Sequence, residues 1–159
     1  MLKNITLQIM YIILPVSIEH NTVSIKDYKI ESTLVSEVFS GAGSALVMAS
    51  SACSENILQL EKYKKDDMGK AVIYDAVLSE AVDHGFLLIG ELVQKELIRS
   101  VCRLGKRISC GYRDFTLNHQ TFFSHVLNLP NYGIKLTPAY ILQPEKSATA
   151  LAPIFCKEV

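Results

Sequence analysis

The chain has no surplus of either charge: 16 Lys+Arg stand against 16 Asp+Glu, a formal net charge of zero. Phosphate backbones are bound through an excess of Lys and Arg that releases counterions, so a nucleic-acid partner is not expected. There is no C-x-x-C pair either. Cys53, Cys102, Cys110 and Cys156 are widely spaced, which argues against a zinc site or a disulfide framework and for reduced cytoplasmic thiols. His20, His84, His119 and His125 are equally scattered, and the last two stand six positions apart, which puts them on different helix faces, so no metal site is expected. No apolar run reaches the ~18 residues of a membrane span, and no low-complexity stretch points to disorder. What is there is a chain of 159 residues, 49% hydrophobic and 20% charged. That length suits one domain over 1–159 burying roughly 70% of its unfolded surface. Its uncharged, slightly apolar balance also fits a surface partly covered by another protein.

Lys3 followed by "ITLQIMYIILPV" has the outline of a signal peptide, but no small-residue cleavage site follows. Ile5, Leu7, Ile9 and Tyr11 alternate with Thr6 and Gln8, which predicts a half-buried strand. "EHNTVSIKDYK" reads as a polar turn. "ESTLVSEVFS" has helical spacing and stops at Gly41 and Gly43. "SALVMAS" is of strand length, and "SENILQLEKYKK" is a helix with a charged face and a Ser/Glu start. The longest predicted helix runs from about Met68 to Leu104, with Ile73, Val77, Ala81, Leu88 and Leu92 as its apolar line. A second line joins Asp75, Ser79 and Asp83 at steps of four and continues to Gly90. It is either a solvated stripe or a surface with something packed against Gly90, whereas Gly85 lies off it and reads as a local break. "LNHQTFFSHVLNL" is a further amphipathic helix stopped by Pro130, and "YILQ" and "ATALAPIF" read as strands. Strands at both ends of a helical middle predict an α+β domain whose long helix and shorter helices pack on a twisted antiparallel sheet.

"KRISCGYRDFTLNHQ", residues 106–120, places Arg107, Gly111, Tyr112 and Asp114 within eight positions. A guanidinium, a phenol and a carboxylate around a glycine suit a small charged ligand. The competing reading is a surface salt bridge between Arg107 and Asp114 beside a half-buried Tyr112 ring.

Three blocks resemble the activation (reactivation) domain of cobalamin-dependent methionine synthase, in its short free-standing form. "DAVLSEAVD" is similar to an Asp-Ala pair with a serine four residues after the Asp and an acidic residue four further on. "RISCGYRDFTLNHQ" is similar to Arg-x-Ser-Pro-Gly-Tyr-Gly-Asp-x-Pro-Leu followed by glutamine. "GIKLTPAYILQPEKSATAL" is similar to Gly-Ile-x-Leu-Thr and then Leu-x-Pro-x-Lys-Ser. They span about residues 66–151; residues 1–65 match only in the order of elements. Cys110 and Thr116 replace prolines, Arg113 replaces a glycine, and Pro138 replaces an acidic residue. The resemblance implies binding of S-adenosylmethionine in a shallow groove at a sheet edge. It further implies support for reductive methylation of cob(II)alamin, with an electron from a reductant protein such as a flavodoxin. The Asp-x-His-x-x-Gly corrinoid motif is absent, so cobalamin is expected only in trans, on a methionine synthase or another corrinoid protein.

The residues suit that ligand. Arg107 pairs bidentately with its carboxylate, and Ser109, Cys110 and Gly111 bring backbone close to it. Tyr112 offers a π face to the sulfonium or adenine, and Asp114 or Asp83 neutralises the ammonium. Asp75 and Ser79 are secondary candidates. Lys146 and Ser147 belong first to a turn and second to a ligand or partner contact. No catalytic acid, base or nucleophile is identified, Cys110 reading as a small apolar filler. The alternative is a non-catalytic interaction module of the same fold that has lost its ligand.

Overall fold

In the computed structural model, which describes residues 5–157, the N-terminal alternation becomes one long strand, β1 (Leu7–Glu19). Lys3 lies outside the described residues. Period-two patterning sends Ile5, Leu7 and Ile9 to one face of the sheet. Met10, Leu14, Val16 and Ile18 go to the other. There follow β2 (Thr22–Ile25), β3 (Tyr28–Glu31), α1 (Thr33–Phe39), β4 (Ser44–Ala52), α2 (Ser54–Asp66) and α3 (Met68–Leu97). The remainder is β5 (Cys102–Leu104), α4 (Gln120–Val126), β6 (Lys135–Leu136), β7 (Leu142–Gln143) and β8 (Ser147–Cys156). Six strands form an antiparallel sheet in the order β3-β2-β1-β4-β8-β5, and β6 and β7 pair separately. β4 is central and buried on both faces from Ala45 to Ala52. α3 covers one face through Phe86, Ile89, Val93 and Leu97, against Leu46, Met48, Ala150 and Ala152. α1 and α4 cover the other, where Phe39, Phe122 and Phe123 meet Val47 and Leu151. The expected α+β architecture, a long helix on an antiparallel sheet, is the one observed.

Several local expectations need correction. The stretch read as a polar turn is the β2–β3 hairpin; its inward residues Val23, Ile25 and Ile30 are fully buried, but four-residue strands are too short to show alternation clearly. α3 ends at Leu97, and after a 3-10 turn the chain reverses at Val101, in the left-handed region, into β5. Neither Gly nor Pro marks that reversal, so nothing in the sequence stops the helix early. α2 starts from Cys53, whose side chain makes no capping bond. α3, in contrast, is capped by Asp67, which accepts from the Lys70 N–H at 3.1 Å.

The core face of α3 is also one residue away from the predicted line. Tyr74, Leu78, Val82, Phe86, Ile89 and Val93 are buried, while Ile73 (58% exposed), Leu88 (38%) and Leu92 (48%) lie on a flank. The helix is apolar on more than one side, and the sheet takes the stripe containing Gly85. A Cβ added there would lie 2.2 Å from Ser50 Oγ and 3.2 Å from Ile9. Gly85 is therefore the point of closest helix–sheet approach, not a break. Gly90 does face a neighbour, Leu104, at an ordinary 3.6 Å from an added Cβ. Finally, Cys102 and Cys156, opposite each other in the β5–β8 ladder, are joined by a disulfide, whereas Cys53 and Cys110 are free. A separation of 54 residues carries no spacing signal; only the strand pairing brings the two thiols together.

Candidate functional site

Asp75, Ser79 and Asp83 sit about a quarter turn round α3 from its buried stripe, with their side chains beside the sheet edge. Each is engaged. Arg107 Nη2 donates to Asp83 Oδ1 at 2.7 Å and Nη1 to the Asp83 carbonyl at 3.5 Å. The guanidinium also lies over the Phe86 ring, 4.6 Å from its centroid. Eight residues earlier on the helix, Lys146 Nζ pairs with Asp75 Oδ2 at 2.8 Å and donates to Ser79 Oγ at 2.8 Å. The line is thus a scaffold that holds two cations, one from each of the two loops bordering the sheet edge. Lys146 points to the helix, with its side chain only 15% exposed.

The first of those loops follows β5. Gly105 N–H donates to the Pro153 carbonyl, and Ile108 and Leu151 exchange two backbone bonds at 2.8 Å. Beyond Ile108 the loop parts from β8, and among the described residues no strand pairs with Ser147 to Ala150 on that side. A cleft of about 330 Å³ lies there, lined by Ser109, Cys110, Leu117 and Gln120 and by Tyr140, Glu145, Ser147 and Thr149. Gly111 has φ +91°, and an added Cβ would press on Leu117 at 3.3 Å. Its N–H donates to the Phe115 carbonyl at 2.7 Å, and the Phe115 N–H returns to Tyr112. This tight turn buries Phe115 completely and leaves Tyr112 68% exposed. Burial pushes the Cys110 thiol up to about 12, so it stays protonated at neutral pH and serves as packing rather than as a nucleophile.

Asp114 is turned the other way. It accepts from Ser32 Oγ at 2.8 Å, from the Thr33 N–H at 2.6 Å and from the Leu34 N–H at 3.1 Å. It shares with Ser32, which accepts from the Val35 N–H, the task of satisfying the start of α1. The Ser32 hydroxyl, followed by the backbone donors, holds its carboxyl well below the usual carboxylate range. Arg113, at φ +50°, pairs with Glu37 of α1 at 3.1 Å. Arg113 and Asp114 therefore pin the loop to the far face of the sheet, while Arg107 pins it to α3.

Of the residues predicted from sequence, Ser109, Cys110 and Ser147 meet in the cleft and Gly111 adjoins it. Arg107 stands two residues before the Ser109 wall. Asp75, Ser79 and Asp83 act from behind, and Asp114 faces α1. Gln120, Tyr140, Glu145 and Thr149 were not named as site residues. Gln120 and Thr149 join in the wall through a 2.6 Å bond from Thr149 Oγ1 to Gln120 Oε1. Tyr140 is held at φ +61° by the Thr137–Ile141 turn. All four lie inside the second and third sequence blocks, which was the only available signal. Among the described residues no three His, Cys, Asp or Glu side chains converge on a metal position, and no helix is long and apolar enough to cross a membrane.

No protein-family model matches the chain, and no curated protein matches it. A solved structure does: the crystal structure of the MetH reactivation domain bound to AdoHcy superposes with a TM-score of 0.73 at 14% sequence identity. The likeness covers 95% of this chain and 59% of that one, so the present chain spans well under two thirds of the solved chain's length. The fold is that of the reactivation domain, and the likeness includes the N-terminal third, where no sequence block matched.

Proposed function

We propose that this chain binds S-adenosylmethionine along the open edge of β8 and presents its methyl group to cobalamin carried by a separate methionine synthase or corrinoid protein. The observation that carries this reading is the shared fold with a reactivation domain solved with AdoHcy, the demethylated form of that ligand. The cleft, formed where the loop after Ile108 leaves β8, supports it. In this reading Arg107, steadied by Asp83 and Phe86, uses its remaining N–H groups on the ligand carboxylate. Gly111 gives the ligand access to backbone, and the exposed Tyr112 ring supplies a face for the sulfonium or adenine. The corrinoid, reduced by an electron from a flavodoxin-type protein, supplies the nucleophile. The chain itself then needs only to bind and orient, with the Cys110 thiol held protonated by burial.

Titration calorimetry with S-adenosylmethionine and with AdoHcy tests the binding. One site per chain for both is expected. A chain that binds neither is an interaction module only. The reactivation role is tested separately by adding the chain, S-adenosylmethionine and reduced flavodoxin to a methionine synthase carrying cob(II)alamin and following methylcobalamin formation by absorbance.

A further inference from the structure

The ligand of this reading carries two positive centres, an α-ammonium and a sulfonium, against one carboxylate. A cleft for it needs a negative group, and the two carboxylates the sequence offered are engaged elsewhere: Asp83 by Arg107 and Asp114 by the start of α1. Among the residues lining the cleft there is one carboxylate, Glu145. It is exposed and takes part in no salt bridge among the described residues. Lys64, whose ammonium feels its charge through space, is itself paired with Glu61 at 2.7 Å.

The chain on the C-terminal side of Glu145 is fixed. Lys146 is latched to Asp75 and Ser79 of α3, and its carbonyl accepts from the Ala52 N–H at 2.8 Å. Ser147 Oγ is bonded to Ser51 Oγ at 2.8 Å. Because Lys146 is drawn back to the helix, the cleft receives the negative member of the Glu145–Lys146 pair without its positive neighbour.

We propose that Glu145 determines specificity by accepting the ligand's α-ammonium, with the Lys146 latch as its positioning element. This rests on the S-adenosylmethionine reading. The test is calorimetry on the full chain and on Glu145→Gln with three ligands: S-adenosylmethionine, AdoHcy and deaminated AdoHcy. Glu145→Gln is expected to weaken the first two by the same factor, about 10-fold or more. The deaminated ligand should bind the parent as poorly as AdoHcy binds the variant, and should not distinguish the two chains. Parent-like affinity of the variant for AdoHcy would overturn the assignment. So would a loss confined to S-adenosylmethionine, which would place Glu145 against the sulfonium. A parent chain that binds AdoHcy and its deaminated form equally well also overturns it, whatever the variant does, and leaves the binding reading standing. Failure of the parent to bind any of the three overturns both.

Discussion

The middle of α3 and its polar flank are built on opposite terms. At Gly85 the helix lies so close to β4 that an added Cβ would collide with Ser50, and Ser50, Phe86 and Ile89 around it are buried. On the flank, Asp75, Ser79 and Asp83 reach out to Lys146 and Arg107, and Gly90 has ordinary space before it. The first region sets how the helix sits on the sheet. The second sets where two loops stand relative to the edge of β8. The fold needs the first, and the proposed site needs the second, so substitutions in the two should separate stability from binding.

The largest stability effect is expected at the seat. In Gly85→Ala the new methyl meets Ser50 Oγ at 2.2 Å and Ser50 Cβ at 3.0 Å. Overpacking of this kind costs about 1–3 kcal/mol, against ~1 kcal/mol gained in helix propensity. A net loss of up to about 2 kcal/mol in urea unfolding is expected. Ser50 Oγ has no hydrogen-bond partner among the described residues, so Ser50→Ala removes the worst contact at little cost, and the double variant should recover part of the loss. Equal stability of Gly85→Ala and the double variant would mean that the helix does not approach β4 at this point.

On the flank the order of effects reverses. On the proposed reading Arg107→Ala removes a charge-assisted pair worth about 1.5–3 kcal/mol to the ligand, so calorimetry should show S-adenosylmethionine binding weakened roughly 10- to 150-fold. Unfolding should shift little, because the Asp83 pair is substantially exposed and such pairs contribute about 0–1 kcal/mol. Unchanged affinity would place the ligand carboxylate elsewhere.

Asp114 holds the same loop from the other face of the sheet and joins stability to pH. Its carboxyl is depressed, first by the Ser32 hydroxyl and then by the α1 backbone donors. The stability it adds is therefore fully present above the ordinary carboxylate range and is lost as pH falls through the depressed value. Asp114→Asn should lower Tm by several degrees at pH 7, and the gap to the parent should narrow as the solution is acidified. A gap that stays constant with pH would mean that the charge on Asp114 is immaterial to the cap.

These two regions also show what was legible in the sequence. The existence of α3, its start at Met68 and the four-residue polar line were readable because helical spacing is local. The choice among its apolar stripes was not. Ile73, Leu88 and Leu92 are as apolar as Tyr74, Leu78 and Ile89, and only contact with β1 and β4 decides between them. The loop residues Arg107 to Tyr112 and the Lys146–Ser147 pair were singled out through a resemblance in type and order. Their directions were not: Lys146 turns to the helix and Asp114 to α1, because their partners Asp75 and Ser32 are remote in the chain. Glu145 was passed over for the same reason, since it becomes conspicuous only once the other carboxylates are seen to be engaged.

The smallest effect is expected from Gly90→Ala, and its sign is the informative part. Glycine in a helix costs ~1 kcal/mol against alanine, and where the native conformation accepts a side chain the substitution stabilises by about 0.4–1 kcal/mol. An added Cβ at residue 90 stands 3.6 Å from Leu104 Cδ2, a normal contact. It would extend into a cavity of about 580 Å³ that Phe86, Leu104 and Arg107 also line. Gly90→Ala should therefore raise stability slightly in urea unfolding, the opposite of Gly85→Ala. If it destabilises instead, α3 and β5 lie closer than described and Gly90 belongs with the seat. Binding sharpens the distinction further. The cavity shares no lining residue with the β8 cleft, so S-adenosylmethionine affinity should not change. A loss of affinity in Gly90→Ala would mean that the ligand reaches past Arg107 into that cavity, and that the flank of α3 is itself a wall of the site rather than its support.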